Sequence, residues 1–272
     1  MNKRKIKNFI LKSKVFENYF FMTSLQIFSS LIGIFIYPYL IRVLGKESYG
    51  TYVFALSVTS FFVIFISFGF NLPAVKKIVE NKDDLLAKNK IVSSIFTAKF
   101  YLVLISSFIF TLLYSFIPII HNNILIFFIC YTQILSELFF PIWYFQAMQK
   151  MKIATFIQLG FRLLTIPFIF IFIKRPEDNS IYALIVSLSI VLGGLTSTLL
   201  LQKKDKIILK LVPLSSLKNY FKDALPFFWS SATGTIKQES VTIIIGSFFG
   251  FLRIFKRFQT FRHEATARSF QR

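Results

Sequence analysis

The chain has 272 residues, of which 55% are hydrophobic, 18% aromatic and only 16% charged, and its mean hydropathy is +0.63. Soluble globular proteins carry about 25% charged residues, and here the deficit falls in long uncharged stretches, which excludes a soluble domain. Basic residues outnumber acidic ones by 32 to 12, giving a net charge of +20. In a membrane chain such an excess first indicates loop orientation rather than nucleic-acid binding. The composition therefore predicts a polytopic membrane protein that binds no nucleic acid.

The apolar stretches predict an all-α bundle of about seven transmembrane helices, since a helix needs about 20 mostly apolar residues to cross a bilayer. A basic N-terminus, residues 1–18, precedes the first span, and a basic linker, residues 202–224, separates the sixth span from the seventh. The predicted spans are 19–41, 50–70, 95–118, 123–145, 153–173, 181–201 and 225–250.

Lysine and arginine are unevenly distributed between the segments that connect these spans. The N-terminus and the segments 71–94, 146–152 and 202–224 together hold nineteen of them, whereas the connections on the other side hold four. The positive-inside rule then places the N-terminus and the nineteen basic residues in the cytoplasm. The two longest of these segments, 71–94 and 202–224, are candidates for amphipathic helices on the inner leaflet.

The last 22 residues depart from this pattern. Residues 1–250 use 22 Lys and 4 Arg, but residues 251–272 use one Lys and five Arg, and they follow span 7 on the side that is otherwise poor in charge. One hypothesis is that residues 251–272 are translated from a wrong reading frame and that the chain is a truncated product without transport activity of its own. The alternative is a genuine basic tail, or one that folds back to the inner leaflet.

Charged residues within the spans are candidates for function, because each costs at least about 2.5–3.5 kcal/mol on insertion scales. Glu137 and Arg162 lie equally far from the turn between spans 4 and 5, so they are predicted to pair across this hairpin, with a structural or a transport role. Lys99 lies near the inner boundary, where its side chain is expected to extend towards the membrane surface.

Span 7 has an unusually polar centre, with Lys237 and Glu239 among serines, threonines and a glutamine. A helix of this kind must face water or protein, so Lys237 and Glu239 are predicted to line a cavity, the alternative being a structural role between helices. Arg42 follows span 1 at the opposite membrane interface, where it is a candidate for phosphate or headgroup contact. The substrate-binding or cavity-lining candidates are Arg42, Lys99, Glu137, Arg162, Lys237 and Glu239.

The sequence predicts no enzyme, cofactor or metal site. Its single cysteine, Cys130, lies in an apolar run, and its two histidines, His121 and His263, are far apart without clustered acidic partners. No phosphate-binding glycine loop and no serine–histidine–aspartate set is present, and no connection is long enough for a soluble catalytic domain.

Three motifs in order resemble the bacterial polysaccharide and O-antigen flippases of the multidrug/oligosaccharide-lipid/polysaccharide exporter superfamily. The residues Tyr37–Gly50 are similar to the end of the family's first helix, and Trp143–Lys152 to its helix 4–5 turn. In that turn, Ala147 and Gln149 replace the usual glycine and glutamate. The third motif comprises Leu225-Pro-Phe-Phe and Ile243–Gly250, which resemble the seventh helix.

The resemblance implies a two-lobed transporter of twelve or more helices, of which this chain would form the first six-helix lobe, residues 19–201, and one further helix, residues 225–250. It implies a multi-pass protein of the bacterial cytoplasmic membrane that translocates undecaprenyl-diphosphate-linked oligosaccharide units for O-antigen or capsule biosynthesis. Its expected partners are this substrate, membrane lipids and the polysaccharide polymerase machinery. The alternatives are a peptidoglycan-precursor flippase or multidrug exporter of the same superfamily, or, less favoured, a membrane-embedded sugar polymerase or transferase.

Overall fold

The structure, a computed structural model, describes residues 3–240 and 244, with side chains from residue 14 onwards. The described residues form helices and connecting segments and contain no β-strand. The α-helices are α1 (Lys3–Ser67), α2 (Asn71–Glu80), α3 (Leu85–Phe116), α4 (Pro118–Asn122), α5 (Ile124–Tyr131), α6 (Ile134–Phe139), α7 (Ile142–Ala147), α8 (Met151–Phe172) and α9 (Asn179–Asp205). Residues 218–240 are also helical, and we call them α10.

The long helix α1 contains two membrane spans that meet at Gly45. A straight helix of 65 residues would be about 98 Å long, roughly three times the thickness of the hydrocarbon core. The chain turns at Gly45, whose φ of 74° and ψ of 164° are not helical and which a residue with a side chain rarely adopts. The two parts of α1 therefore correspond to the predicted spans 19–41 and 50–70.

The prediction of an all-α polytopic membrane bundle is confirmed. Five stretches of the described residues are long and apolar enough to cross a membrane: Lys14–Glu80, which holds both spans of α1, then Leu85–Phe116, Ile124–Ala147, Met151–Phe172 and Pro176–Asp205. The predicted seventh span is helical from 225 to 240. Its remainder, apart from residue 244, and the Arg-rich segment 251–272 lie outside the described residues.

Contacts between distant helices agree with successive spans that alternate in direction. The first part of α1 runs parallel to α8, because three hydrogen bonds between them keep a nearly constant sequence separation of 133 to 134 residues. These bonds join Met151 N to Asn18 Oδ1 (3.0 Å), Thr155 Oγ1 to the Phe21 carbonyl (3.3 Å) and Tyr39 Oη to the Ile173 carbonyl (2.7 Å).

Because the spans alternate in direction, the connections between them lie in turn at the two ends of the bundle. We call the end that holds Asn18, Lys150 and Asp205 the N-terminal face, where Lys150 forms an ion pair with Asp205 at the end of α9. We call the opposite end, which holds Gly45, Asn123 and Asn179, the distal face. The cytoplasmic location predicted for the N-terminus would make the N-terminal face the inner one.

At the N-terminal face, α10 packs closely against the end of α1 and α2. A Cβ atom on Gly69, whose φ is +71°, would lie 2.4 Å from the Phe228 nitrogen, so only glycine fits this contact. The Lys77 ammonium is 2.8 Å from the Asp223 carboxylate. These contacts fix where α10 begins relative to the six-span bundle.

Residues 206–213 of the linker 202–224 are not helical, which corrects the expectation of an amphipathic helix there. This segment, the strap, lies along α3. Ile208 N donates to Asn89 Oδ1 (3.0 Å), Lys210 N to Ser93 Oγ (3.1 Å) and Val212 N to Thr97 Oγ1 (3.2 Å). Four helical residues advance about 6 Å and two extended residues about 6.6 Å. The side chains of α3 therefore satisfy strap N–H groups that an amphipathic helix would bond internally.

Candidate functional site: a polar cavity at a broken transmembrane helix

A cavity of about 690 Å³ lies inside the bundle, between both parts of α1 and the spans formed by α5–α7, α8 and α9. Many of its lining side chains are polar although the helices that carry them are apolar overall. Polar and ionisable groups at membrane depth usually face such a protein-lined or aqueous space. The amide, hydroxyl and charged residues here include Gln133, Ser136, Glu137, Gln158, Arg162 and Ser189.

The fourth span is broken into α5, α6 and α7, and the second break follows from Pro141. Proline has no backbone N–H, so the Glu137 carbonyl, four residues earlier, cannot receive its usual helical hydrogen bond. The Lys99 ammonium of α3 donates to this carbonyl at 3.1 Å. The carbonyl of Phe139 at the same break accepts a hydrogen bond from the Thr198 hydroxyl of α9. Two neighbouring helices thus satisfy two of the carbonyls that the break exposes, which lowers the cost of the break in the bilayer interior.

Glu137 pairs with Lys99, which corrects the predicted pairing with Arg162. The Lys99 Nζ atom lies 2.6 Å from Glu137 Oε1, and the two side chains are 3% and 22% exposed. The expectation that the Lys99 side chain extends towards the membrane surface is also wrong, since its ammonium is buried between α3 and α6. Sequence spacing gave equal depths for Glu137 and Arg162 but carried no information about the side chain that α3 places beside the break.

Arg162 lines the same cavity from α8 and has no ion-pair partner among the described side chains. Its side chain is partly buried. Of the two cationic residues predicted within the six-span bundle, Lys99 is therefore neutralised by a carboxylate, whereas Arg162 presents its guanidinium to the cavity. An unpaired guanidinium offers several fixed donors to an anionic ligand such as phosphate.

Four tyrosines, which the sequence analysis did not single out, form one wall of the cavity. Their ring centroids are 6.5 Å apart for Tyr37 and Tyr49, 6.2 Å for Tyr49 and Tyr52, and 4.8 Å for Tyr52 and Tyr182. The sequence did contain an indication of this wall. In a chain with 37 Phe and 11 Tyr, a tyrosine within an apolar span indicates that its hydroxyl meets a polar environment.

The remaining predicted site residues do not reach this cavity. Arg42 is exposed three residues before Gly45, at the distal face, and Lys237 is exposed on α10. Glu239 is partly buried on the same helix. The cavity-lining role predicted for Lys237 and Glu239 stays a prediction, and it does not concern the cavity within the first six spans.

Comparison with known proteins identifies the family. Residues 15–251 match the model of the family described as "Polysaccharide biosynthesis protein". The chain belongs to this family. It is also 25% identical over 237 residues to a protein of Escherichia coli (strain K12) named "Putative O-antigen transporter". That match covers 86% of the chain and 56% of the relative, so the chain spans little more than half of the relative's length. No solved structure matches the chain.

Family membership and the helical architecture agree with each other. The apolar helices of this polysaccharide biosynthesis family member make it a multi-pass membrane protein. The cavity, Arg162 and the broken fourth span all lie within the residues that the family match covers.

Proposed function

We propose that this chain forms the first lobe of a flippase that moves undecaprenyl-diphosphate-linked oligosaccharide units across the bacterial cytoplasmic membrane for O-antigen or capsule biosynthesis. The E. coli relative named as an O-antigen transporter supports this substrate class. The observation that carries the proposal is Arg162, whose guanidinium lines a membrane-embedded cavity without a described ion-pair partner.

The chemistry of the substrate explains why the cavity needs a cation. A diphosphate carries negative charge that is costly to bring to membrane depth, and hydrogen bonds to a guanidinium offset part of that cost. The neighbouring amide and hydroxyl groups, among them Gln133, Gln158 and Ser189, add donors and acceptors for sugars. The Lys99–Glu137 pair contributes no net charge to the cavity, so Arg162 sets the sign of its potential.

The proposal also assigns an orientation and an environment to the rest of the chain. The N-terminal face is cytoplasmic, in agreement with the nineteen basic residues on that side. Lys237 and Glu239 of α10 face the second lobe of the complete transporter, in which a second six-helix unit completes the transport pathway. Binding to the polysaccharide polymerase machinery is part of the same proposal.

The test is a complementation experiment in a strain that lacks the gene. Deletion should leave lipid-linked oligosaccharide accumulated on the cytoplasmic side and should reduce surface polysaccharide. Arg162→Gln should fail to restore export, because it removes the charge, and Arg162→Lys should restore part of it. Unchanged surface polysaccharide in the deletion strain, or full export with Arg162→Gln, would contradict the proposal.

The alternative exporters of the superfamily predict a different outcome. If the deletion strain accumulates a peptidoglycan precursor, or becomes sensitive to a cationic drug while surface polysaccharide stays normal, one of those functions applies instead. A cavity that presents an unpaired arginine favours an anionic lipid-linked substrate over a cationic drug, because like charges at membrane depth repel strongly.

A further inference from the structure

A second polar pocket, of about 370 Å³, opens at the distal face of the bundle. We call it the distal pocket. It is built where the beginning of the second span in α1, the connection between α4 and α5, and the beginning of α9 meet. These three parts of the chain contribute two uncharged polar side chains each: Ser48 and Thr51, Asn122 and Asn123, and Asn179 and Ser180.

Hydrogen bonds to the backbone hold the walls of this pocket. Asn179 Nδ2 donates to the Ser48 carbonyl at 2.6 Å and so joins α9 to α1. Asn123 Nδ2 donates to the Ile119 carbonyl at 3.0 Å and so fixes the connection that follows α4. The Asn122 amide and the Ser180 hydroxyl have no hydrogen-bond partner among the described residues, and both line the open space. The pocket therefore combines a rigid frame with polar groups that a ligand can use.

The distal pocket is separate from the central cavity, although both use the same two helices. Residues Ser48 and Thr51 face the distal pocket, whereas their neighbours Tyr49 and Tyr52 line the central cavity. The rings of Tyr52 and Tyr182 pack edge to face at 4.8 Å. This contact and the Asn179–Ser48 hydrogen bond hold α1 and α9 together between the two spaces.

The side chains of the distal pocket select against the anionic part of the proposed substrate. Among the described residues, no lysine or arginine lines it, so it lacks the cationic donors with which a diphosphate pairs. Asparagine amides and serine or threonine hydroxyls both donate and accept hydrogen bonds, which is also what sugar hydroxyls do. A volume of about 370 Å³ lies near the lower end of the roughly 300–1,000 Å³ typical of small-molecule sites, which suits a small saccharide unit.

We propose that the distal pocket is a binding site for an uncharged saccharide unit of the transported glycan on the non-cytoplasmic side. This inference rests on the proposed function, which supplies the oligosaccharide. It assigns the two ends of the substrate to two sites. The diphosphate binds the cavity that contains Arg162, and the neutral glycan binds the amide and hydroxyl groups around Ser180 once it has reached the distal face.

Cysteine labelling gives a direct test, because the chain's one natural cysteine, Cys130, is fully buried. Ser180→Cys places a thiol in the pocket, and Glu177→Cys places a matched one outside it, in the connection just before α9. Both variants are labelled with a membrane-impermeant maleimide, in intact cells and in permeabilised membranes. The probes are lactose, N,N′-diacetylchitobiose and, as an anionic comparison, inorganic pyrophosphate.

We expect at least one of the neutral disaccharides to slow labelling of Ser180→Cys, by about threefold at a concentration twice its Kd. Labelling of Glu177→Cys should not change, and pyrophosphate should have no effect on either variant. Adding Asn122→Leu to Ser180→Cys should remove the protection while leaving the rate without sugar unchanged. If Ser180→Cys is poorly produced, Asn122→Cys provides a second reporter from the opposite wall.

Three results would overturn the proposal: no protection by either disaccharide at any soluble concentration, equal protection of both variants, or protection by pyrophosphate alone. Labelling that requires permeabilised membranes would place the pocket on the cytoplasmic side and would reject its assignment to the exported glycan. The Arg162 complementation assay gives an independent readout. If Arg162→Gln still gives full export while a disaccharide protects Ser180→Cys, the flippase reaction is rejected but the pocket is not. If Arg162→Gln abolishes export but no disaccharide protects Ser180→Cys, the pocket alone is rejected.

Discussion

The fourth and fifth spans share two sequence features but fold differently. Each contains one proline and one charged residue that lines the central cavity: Pro141 and Glu137 in the fourth, Pro167 and Arg162 in the fifth. The fourth span is divided into α5, α6 and α7, whereas α8 continues through Pro167 for 22 residues. A proline alone therefore does not decide whether a membrane helix breaks.

The two spans differ in the hydrogen bonds that side chains of neighbouring helices donate to their backbone carbonyls. At the break before α7, Lys99 and Thr198 supply hydrogen bonds to the carbonyls of Glu137 and Phe139. The carbonyl of Leu163, four residues before Pro167, receives no side-chain hydrogen bond from the described residues. Because an unsatisfied carbonyl in the bilayer is costly, a break is stable where polar side chains of other helices reach it. This comparison yields three predictions.

The largest effect is expected from Lys99→Met, which removes the ion-pair partner of Glu137 and the donor to its carbonyl. Breaking a buried pair by removing one partner typically costs about 3–5 kcal/mol. The 22% exposure of Glu137 places the expected loss near the lower end. Thermal unfolding of the purified protein in detergent should show a reduced midpoint, and export should fall with it.

A double-mutant cycle separates the ion pair from the general effect of the substitution. Adding Glu137→Gln to Lys99→Met should recover part of the stability, because the carboxylate no longer lacks a partner. The matched cycle of Glu137→Gln with Arg162→Gln should be additive, since the structure shows no pairing between these residues. Coupling in the second cycle and additivity in the first would contradict the observed arrangement.

The next effect is expected from Pro141→Ala, which restores a backbone N–H at the break. This N–H competes with Lys99 for the Glu137 carbonyl and favours a continuous fourth span, so the carboxylate should move relative to the cavity. We expect a severalfold loss of export with a smaller change in the unfolding midpoint. Complementation and thermal unfolding, measured on the same variant, check this.

Pro167→Ala is the control for this prediction, because α8 is already continuous there. It should leave export unchanged and keep or raise the unfolding midpoint, as alanine is the better helix former. Equal losses of export in the two variants would show that the break in the fourth span has no special role.

The smallest effect is expected from Thr198→Val, which removes the hydroxyl that donates to the Phe139 carbonyl. Loss of such a bond costs about 1–3 kcal/mol when it leaves a buried polar group without a partner. The expected result is a modest decrease in the unfolding midpoint with export retained. Ser197→Ala is the matched change on the same helix, since the buried Ser197 hydroxyl has no hydrogen-bond partner among the described residues. A larger effect for Ser197→Ala than for Thr198→Val would contradict this account.

Much of the fold could be predicted from the sequence because the bilayer imposes simple rules on each segment separately. Apolar length located the spans, including the two that meet at Gly45, and the motifs indicated the family that the comparisons confirm. The strap was predicted wrongly, because charge alone suggested an amphipathic helix. Its extended form depends on Asn89, Ser93 and Thr97 of α3, which no local pattern in residues 206–213 reveals.

For the candidate site, the sequence by itself determined which ionisable residues lie within the membrane, since each interrupts an apolar stretch at a real free-energy cost. The tertiary structure decided how they are used. It pairs Glu137 with Lys99 rather than with Arg162, gathers four tyrosines on one wall, and brings Asn122 and Ser180 to opposite walls of one pocket at the distal face. The physical reason is that depth in the bilayer follows from position along one helix, whereas the partner of a side chain depends on which helices are neighbours and on how each is rotated about its axis.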